Sequence, residues 1–332
     1  MKIAVVILNW NGKKLLAQFL PSVIQFSASE ATIYVADNAS TDDSVSFVKS
    51  HFPSVTIIQN KSNGGYAKGY NDALKNLSED IFVLLNSDVE VSKNWLTPVI
   101  SEFKKDKSLV AAQPKILDYK NKAYFEYAGA AGGFIDKLGY PYCRGRIFNS
   151  IEKDVEQYDD ISTIFWATGA CLFVRKNAFN EQGGFDEDFF AHQEEIDLCW
   201  RMQSKGGIIK YIGTSTVFHV GGATLSAADS NKTFYNFRNT LLMLLKNVKG
   251  VKVLGLIFTR LVLDGLAGVQ FLLQGKWKHT LAIIKAHFSF YSLIPKFLIK
   301  RKKFASNIMY FKTYSIVWKY YLRNIRTFKD LN

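Results

Sequence analysis

The chain opens on alternating blocks of apolar and polar residues whose periods differ. Ile3–Leu8 is a continuous apolar run, the pattern of a strand covered on both faces. Lys13–Phe26 then carries apolar residues at helical spacing, followed by a strand at Thr32–Ala36, a helix at Asp42–Ser50 and a strand at Val55–Gln59. A third helix at Ala67–Leu77 and a fourth strand at Ile81–Leu85 complete the alternation. Strict β-α alternation predicts an α/β fold, a doubly wound, mostly parallel central sheet with helices on both faces. Ligands of such sheets sit in the crevice beyond the carboxyl ends of the strands. Polar residues fall at those ends: Asn9 after the first strand, Asp37 and Asn38 after the second, Asn63–Gly65 after the third, Asn86 and Asp88 after the fourth.

From about Lys93 the pattern changes. Ser108–Ile116 and Tyr124–Ile135 read as strands, and Thr163–Val174 as a strand pair interrupted by Thr168-Gly169. Glu194–Lys205 reads as a helix stopped by Gly206-Gly207, with short strands at Ile208–Ile212 and Val217–Val220. No Pro- or Ser-rich linker divides these parts, so residues 1–240 are expected to form one domain of two lobes, about 1–92 and 93–240. Residues 241–332 form an apolar-basic helical extension. Lys252, Arg260 and Asp264 interrupt its longest apolar run. No stretch there reaches the roughly 18 uncharged residues of a spanning helix. Amphipathic basic helices with aromatics suit a membrane interface carrying anionic lipid; a subdomain packed on the core, or an oligomer interface, is the competing reading. The apolar run at the N-terminus is short and no small-residue cleavage site follows it, so a strand is expected there rather than a signal peptide.

Charge sharpens this division. The net charge of +13 over 332 residues invites a nucleic-acid reading, but residues 241–332 hold 17 Lys/Arg against 2 Asp/Glu, and residues 1–240 hold 25 against 27. A basic tail on a near-neutral domain points away from nucleic acid and towards an anionic membrane surface. The 48% apolar content excludes a disordered chain. Cys143, Cys171 and Cys199, odd in number and widely spaced, fit neither a disulfide framework nor a zinc ribbon.

Five segments carry candidate chemistry. In DNASTDDS, Thr41 or Asp42 can cap a helix, whereas Asp37 and Asn38 precede the cap and can hydrogen-bond a base edge or ribose hydroxyls. NGGYAKGYNDA places two glycines at a helix start, where backbone amides favour phosphate and Lys68 adds charge; it fits neither a dinucleotide fingerprint nor a P-loop. LLNSDVEV ends a strand in Asn86-Ser87-Asp88, two oxygen-bearing side chains two residues apart that can ligate a hard divalent cation. FDEDFFAHQEEIDLCWR holds six carboxylates between Asp186 and Asp197. Asp186 and Asp188 can simply be solvated, and Glu194, Glu195 and Asp197 open a helix, where negative charge is stabilised. A carboxylate there can also serve as a general base. FHVGG offers His219 as a further metal ligand or a structural histidine.

Taken in order, VVILNWNG, DNASTDDS, NGGYAKGYNDA, LLNSDVEV, ATGACLFVRK, GGFDEDFFAHQEEIDLCWR, FHVGG and YNFRNTLLMLLKN resemble family-2 glycosyltransferases of the GT-A fold, in particular the rhamnosyltransferase-like branch. The resemblance implies an inverting, metal-dependent hexosyltransferase. It would move a sugar from a nucleoside-diphosphate sugar, dTDP-rhamnose or a UDP-hexose, to a saccharide hydroxyl, with the acceptor lipid-linked. It further implies a bacterial enzyme of cell-surface polysaccharide synthesis, peripheral on the cytoplasmic face of the inner membrane. By family pattern, Asn9 and Asp37 would hold base and ribose, with Asn38 beside them, and Gly65 and Lys68 would line the donor wall. Asp88 would ligate Mn²⁺ or Mg²⁺ with Asn86 nearby and His219 as a further ligand. Glu195 would be the base, with Glu194 or Asp197 as substitutes, and Thr168 and Gly169 would line the acceptor side. Two departures are visible: Asn-Ser-Asp stands where such families carry Asp-Xaa-Asp or Asn-Pro-Asp, and Glu194-Glu195 where Glu-Asp is usual. A two-carboxylate glycoside hydrolase or a nucleotidyltransferase is the alternative enzyme class, and a non-catalytic lipid- or nucleic-acid-binding protein the alternative outside enzymes.

Overall fold

The computed structural model describes residues 1–221 and 229–331. Gly222, the last residue of FHVGG, lies outside them.

The alternation at the N-terminus folds as the pattern requires. Strands β1 (Ile3–Asn9), β2 (Thr32–Asp37), β3 (Thr56–Gln59) and β4 (Ile81–Asn86) enclose helices α1 (Lys13–Ser27), α2 (Ser44–His51) and α3 (Gly65–Leu74). Then follow β5 (Val89–Val91), α4 (Leu96–Lys105), β6 (Leu109–Asp118) and four short strands, β7 (Gly133–Ile135), β8 (Pro141–Cys143), β9 (Arg146–Ile147) and β10 (Ser150–Ile151). The second lobe continues through β11 (Ile161–Thr163), β12 (Cys171–Arg175), α5 (Lys176–Glu181), α6 (Glu194–Gln203) and β13 (Ile208–His219). Four helices remain: α7 (Ser230–Asn247), α8 (Lys252–Leu273), α9 (Trp277–Phe304) and α10 (Ile316–Tyr321).

The main sheet runs β11-β13-β6-β12-β4-β1-β2-β3, with β5 on β13. Pairings β1–β2, β1–β4, β2–β3 and β6–β13 are parallel, whereas β12 runs antiparallel between β4 and β6. Both faces are covered, so Val5, Val6, Val83 and Leu84 are fully buried, as the continuous apolar runs demand. The short strands β7–β10 form a second, separate sheet.

Three expectations change. Tyr124–Ile135 is not a strand: only Gly133–Ile135 pairs as one. Ala130 takes a left-handed backbone (φ 42°), and a Cβ on Gly129 would come within 2.5 Å of Thr168, so the segment turns tightly where an extended chain would not fit. The two expected strands from Ile208 are one, Ile208–His219, with an irregular register between Ile212 and Thr216.

The third change concerns the boundary at Thr240, which falls inside α7, whose residues Arg238–Asn247 are all buried. The extension is therefore built into the catalytic lobe. Arg301 donates to the carbonyls of Leu245 and Gly250, the amide of Ile316 donates to the Asp136 carboxylate at 2.8 Å, and Phe328 packs on Phe134 and Tyr142. Helices α8 and α9 are also long and apolar enough to cross a membrane by length and composition, more than the charged interruptions led us to expect. In α8 Arg260 and Asp264 point inwards, where Arg260 pairs with Asp264 and donates to the carbonyl of Leu138, whereas Lys252 is exposed. The opposite face shows Leu254, Phe258, Val262, Leu266 and Val269 to solvent.

Candidate active site

At the strand ends, two groups of side chains behave differently. The first follows β1 and β2. Asn9 donates to Asp37 (3.2 Å), Ser40 (3.2 Å) and Ser44 (3.0 Å), and Asp37 also accepts the amide of Ser40 at 3.0 Å. Asn38 donates to Asn63 and the carbonyl of Gly65 while accepting from Asn60. Asn38 is thus consumed in tying the β2 loop to the turn before α3, and its contribution to the crevice is to shape it. Asn9 Oδ1 finds no partner among the described residues, and its Nδ2 steadies the Asp37 carboxylate.

The second group lies at the end of β4 and β13. Asp88 Oδ1 stands 3.1 Å from His219 Nε2, and Asn86 Nδ2 stands 3.4 Å from the same nitrogen. Glu126 Oε2 faces the other ring nitrogen at 3.3 Å, an ionic contact rather than an aligned hydrogen bond. Burial works against charge on His219, but hydrogen bonds and the charges of Asp88 and Glu126 outweigh it and lift the imidazole to about 10. The imidazolium thereby supplies positive charge between two buried carboxylates. A divalent ion suits the same place. Ligand bonds of about 2.1 Å around a six-coordinate ion set neighbouring donors about 3 Å apart, close to the Asp88–His219 spacing. Glu126 would then orient the ring from behind, the usual outer partner of a metal-bound histidine. Among the described residues no cluster of three or more His, Cys, Asp and Glu converges into a cage. The chain thus offers a partial donor set, suited to an ion completed by substrate oxygens and water.

The acidic segment before and within α6 divides sharply. Asp197 is fully buried, bonded to Arg201 (2.8 Å), Lys246 (2.8 Å) and Asn247 (2.8 Å). Despite the cost of burial, the nearby Lys246 and Arg201 charges hold it below the usual carboxylate range. A carboxylate so saturated cannot take a proton from an acceptor, which removes Asp197 from the candidate bases. Asp186 and Asp188 are not solvated either. Asp186 binds Lys246 at 2.7 Å and also Lys300, and Asp188 binds Lys296 and Lys300, each at 2.6 Å.

Between these anchors, the run His192–Glu195 holds four of the buried polar atoms that find no partner among the described residues: His192 Nε2, Gln193 Oε1, Glu194 Oε2 and Glu195 Oε2. Buried polar groups are almost always paired, so four consecutive exceptions mark a place made for a ligand. Burial raises Glu194 well above its ordinary value, with the Glu195 charge adding to it. Burial also pushes Glu195 up to about 7, against the pull of nearby backbone amides. Glu194 is almost fully buried and Glu195 only half-buried, so Glu195 is the more accessible base.

This run is held from outside by α7. Asn239 Nδ2 donates to the carbonyls of Phe189 (2.9 Å), Ala191 (2.9 Å) and His192 (2.7 Å), and Arg238 donates to those of Asp188 and Phe189. The clamp offsets backbone strain: Phe190, His192 and Gln193 all sit at positive φ, a costly conformation without glycine. The same loop reaches across to the donor wall. The carbonyl of Phe190 accepts the amides of Tyr66 and Ala67, and a Cβ on Gly65 (φ 75°) would lie 2.6 Å from that carbonyl. Phosphate binding at the start of α3 is therefore not what the structure offers, because those amides are taken. Lys68 is exposed and paired with Asp72 at 2.9 Å. Thr168 is buried in a turn with its hydroxyl accepting from the amide of Ala170, and at Gly169, whose carbonyl accepts from the Tyr66 hydroxyl at 2.7 Å, a Cβ would come within 2.8 Å of that hydroxyl. Glu126, Tyr66 and the Arg238-Asn239 clamp were not singled out from the sequence. Tyr66 lay in NGGYAKGYNDA and the clamp in YNFRN, both already noted, but no spacing rule assigns either a task.

A doubly wound sheet carrying an Asp–His pair at its mouth and an unpartnered glutamate pair beside it has the make-up of a GT-A transferase. Residues 4–181 match the model of glycosyl transferase family 2, and the chain belongs to that family. Its sequence is similar to N-acetylglucosaminyl-diphospho-decaprenol L-rhamnosyltransferase of Mycobacterium tuberculosis, 24% identical over 230 residues that cover 65% of this chain and 75% of the relative. The fold is similar to S. aureus TarS 1-349 in complex with UDP-GlcNAc (TM-score 0.58, 15% identity, 90% of this chain and 83% of that one). It is also similar to GalNAc-T7 with UDP, GalNAc and Mn²⁺ (TM-score 0.59, 17% identity, 76% of this chain and 49% of that one). The GT-A fold and the rhamnosyltransferase-like character expected from the sequence both hold.

Proposed function

We propose that the protein transfers a hexosyl group, rhamnose from dTDP-rhamnose or a hexose from UDP, with inversion, to a hydroxyl of a lipid-linked saccharide at the cytoplasmic face of a bacterial membrane. The observations that carry the reading are two unlike groups in one family-2 fold: Asp88 with His219, backed by Glu126, and Glu194-Glu195 with oxygens that find no partner among the described residues. The relative's name supports a lipid-diphosphate acceptor and the Mn²⁺ and UDP of structural neighbours support the donor class.

In this reading Asp37, steadied by Asn9, receives the ribose or base. Asp88 and His219 would hold Mn²⁺ or Mg²⁺, the ion taking the place of the imidazolium proton, with Asn86 beside them and Glu126 fixing the ring. The ion, when bound, supplies positive charge for the diphosphate that departs. Glu195 removes the proton from the acceptor hydroxyl as it attacks the anomeric carbon from the face opposite the diphosphate. General-base assistance of this kind contributes about 10²–10⁴-fold, and alignment of the two substrates supplies the rest through proximity. A glycoside hydrolase would need neither a nucleotide corner nor a metal pair. The outward apolar face of α8, flanked by the basic tail, lies on anionic lipid, and the inward Arg260–Asp264 pair favours a helix resting in the interface over one that spans it.

Thermal-shift titration with dTDP, UDP and GDP, each with Mn²⁺, tests the reading. One nucleotide should stabilise the protein in a Mn²⁺-dependent way, and Asp88→Ala should abolish the Mn²⁺ dependence. Absence of binding by all three would contradict it.

A further inference from the structure

The first half of α9 and the start of α7 enclose a cleft of about 350 Å³ that the reaction as described leaves unused. Its walls are Phe234 and Tyr235 on α7 and Trp277, Lys278, Leu281 and Lys285 on α9. Three aromatics and two lysines make an amphipathic lining, apolar on its walls and cationic at its rim.

Three observations give it an occupant. First, the lysines are available. On the same helix Lys296 and Lys300 are bound to Asp188, whereas Lys278 and Lys285 have no carboxylate within ion-pairing distance among the described residues. They lie two helical turns apart, about 10 Å, on one face. The nearby Asp229 carboxylate is committed to capping α7 through the amide of Asn231 at 2.8 Å. Second, one wall touches the catalytic loop: the rings of Tyr235 and Phe190 stack at 5.4 Å with an 18° interplanar angle, and Phe190 lies four residues before Glu194. Third, exposed apolar side chains flank the lining stretch of the chain, Leu273 (84% exposed) four residues before Trp277 and Phe288 (70% exposed) three residues after Lys285.

We propose that this cleft seats the diphosphate and first isoprene units of a prenyl-diphosphate-linked acceptor, with the lysines on the phosphates, the aromatics against the chain, and the attached sugar directed past Phe190 towards Glu195. The inference rests on the lipid-linked acceptor proposed above and adds where the lipid diphosphate binds.

Farnesyl diphosphate binding, measured by calorimetry with the donor site filled by saturating nucleoside diphosphate and Mn²⁺, provides the test. The wild-type protein binds it, and K278A/K285A binds it about tenfold or more weakly, as expected for loss of two charge-assisted contacts. Trp277→Ala weakens it as well, while nucleotide binding by every variant is unchanged. K302A/K303A, the same charge change elsewhere on α9, leaves farnesyl diphosphate affinity as it is. Equal loss in K302A/K303A would mean general attraction to a basic surface and would overturn the site, as would undiminished binding by K278A/K285A. Farnesol binding as tightly as farnesyl diphosphate would overturn the role of the lysines. If the wild-type enzyme transfers sugar to a soluble saccharide but never to prenyl-diphosphate N-acetylglucosamine, the acceptor reading itself fails, independently of the binding result.

Discussion

Within twelve residues the chain places two kinds of carboxylate. Asp186, Asp188 and Asp197 are bound by Lys246, Lys296, Lys300 and Arg201 and are held below their ordinary range; Glu194 and Glu195 have no side-chain cation bound to them among the described residues and are raised above theirs. The contrast separates anchoring from chemistry. A buried acid with cations at hydrogen-bond distance stays ionised and fixes structure, whereas one left without a partner is poised to exchange a proton near neutral pH. Both kinds belong to one design, because the anchors, together with Asn239, hold the strained loop that delivers the glutamates. The C-terminal extension therefore anchors the loop that carries the proposed base, besides being the candidate contact with lipid.

The largest effect should come from the unpartnered side. Glu195→Gln lowers sugar transfer by about 10²–10⁴-fold with nucleotide affinity retained; transfer at the wild-type rate would move the role to Glu194. On the anchored side, Lys246→Met leaves Asp186 and Asp197 short of a buried partner and should cost about 3–5 kcal/mol in stability, read by urea denaturation. A stable Lys246→Met protein would mean that Lys300 and Arg201 suffice.

The two sides also carry opposite pH signs. The lowered aspartates contribute stability above their ordinary value of 3.8, and that contribution is lost as pH falls through their lower folded values. For Glu195 the stabilising form is the protonated one, fully present below its ordinary 4.5 and lost as pH rises through about 7. Denaturation should therefore show Glu195→Gln gaining stability over wild type at pH 8 and little at pH 4. The smallest effect is expected from Lys68→Ala. Its exposed pairing with Asp72 leaves the unfolding midpoint and nucleotide affinity nearly unchanged, and a large loss of affinity would restore it to the donor wall.

Much of this was legible in the chain because the signals are local. The alternating periods dictate the sheet, and strand ends dictate where Asp37 meets Asn9 and where Asp88 meets His219. The anchoring role of Asp197 was not legible, since its partners Lys246 and Asn247 lie some fifty residues on and only tertiary packing brings them together. Lys68 looked like a phosphate ligand because helix starts attract anions, but the carbonyl of Phe190, from a loop more than a hundred residues away, already occupies that helix start. Glu126 was hidden in Tyr124–Ile135, a segment that reads as a strand but of which only Gly133–Ile135 pairs as one. The apolar-basic tail was legible as an amphipathic surface, yet nothing in its pattern shows that α7 crosses the expected boundary and grips the base loop.

The claim that Glu195 is the acceptor base is tested most directly by the pH dependence of single-turnover transfer with saturating donor and Mn²⁺, in wild type and Glu195→Gln. The account predicts a wild-type rate that rises with pH through an apparent value near 7 and then levels, and a slow variant without that inflection. An inflection that survives in the variant, at an undiminished rate, would contradict it.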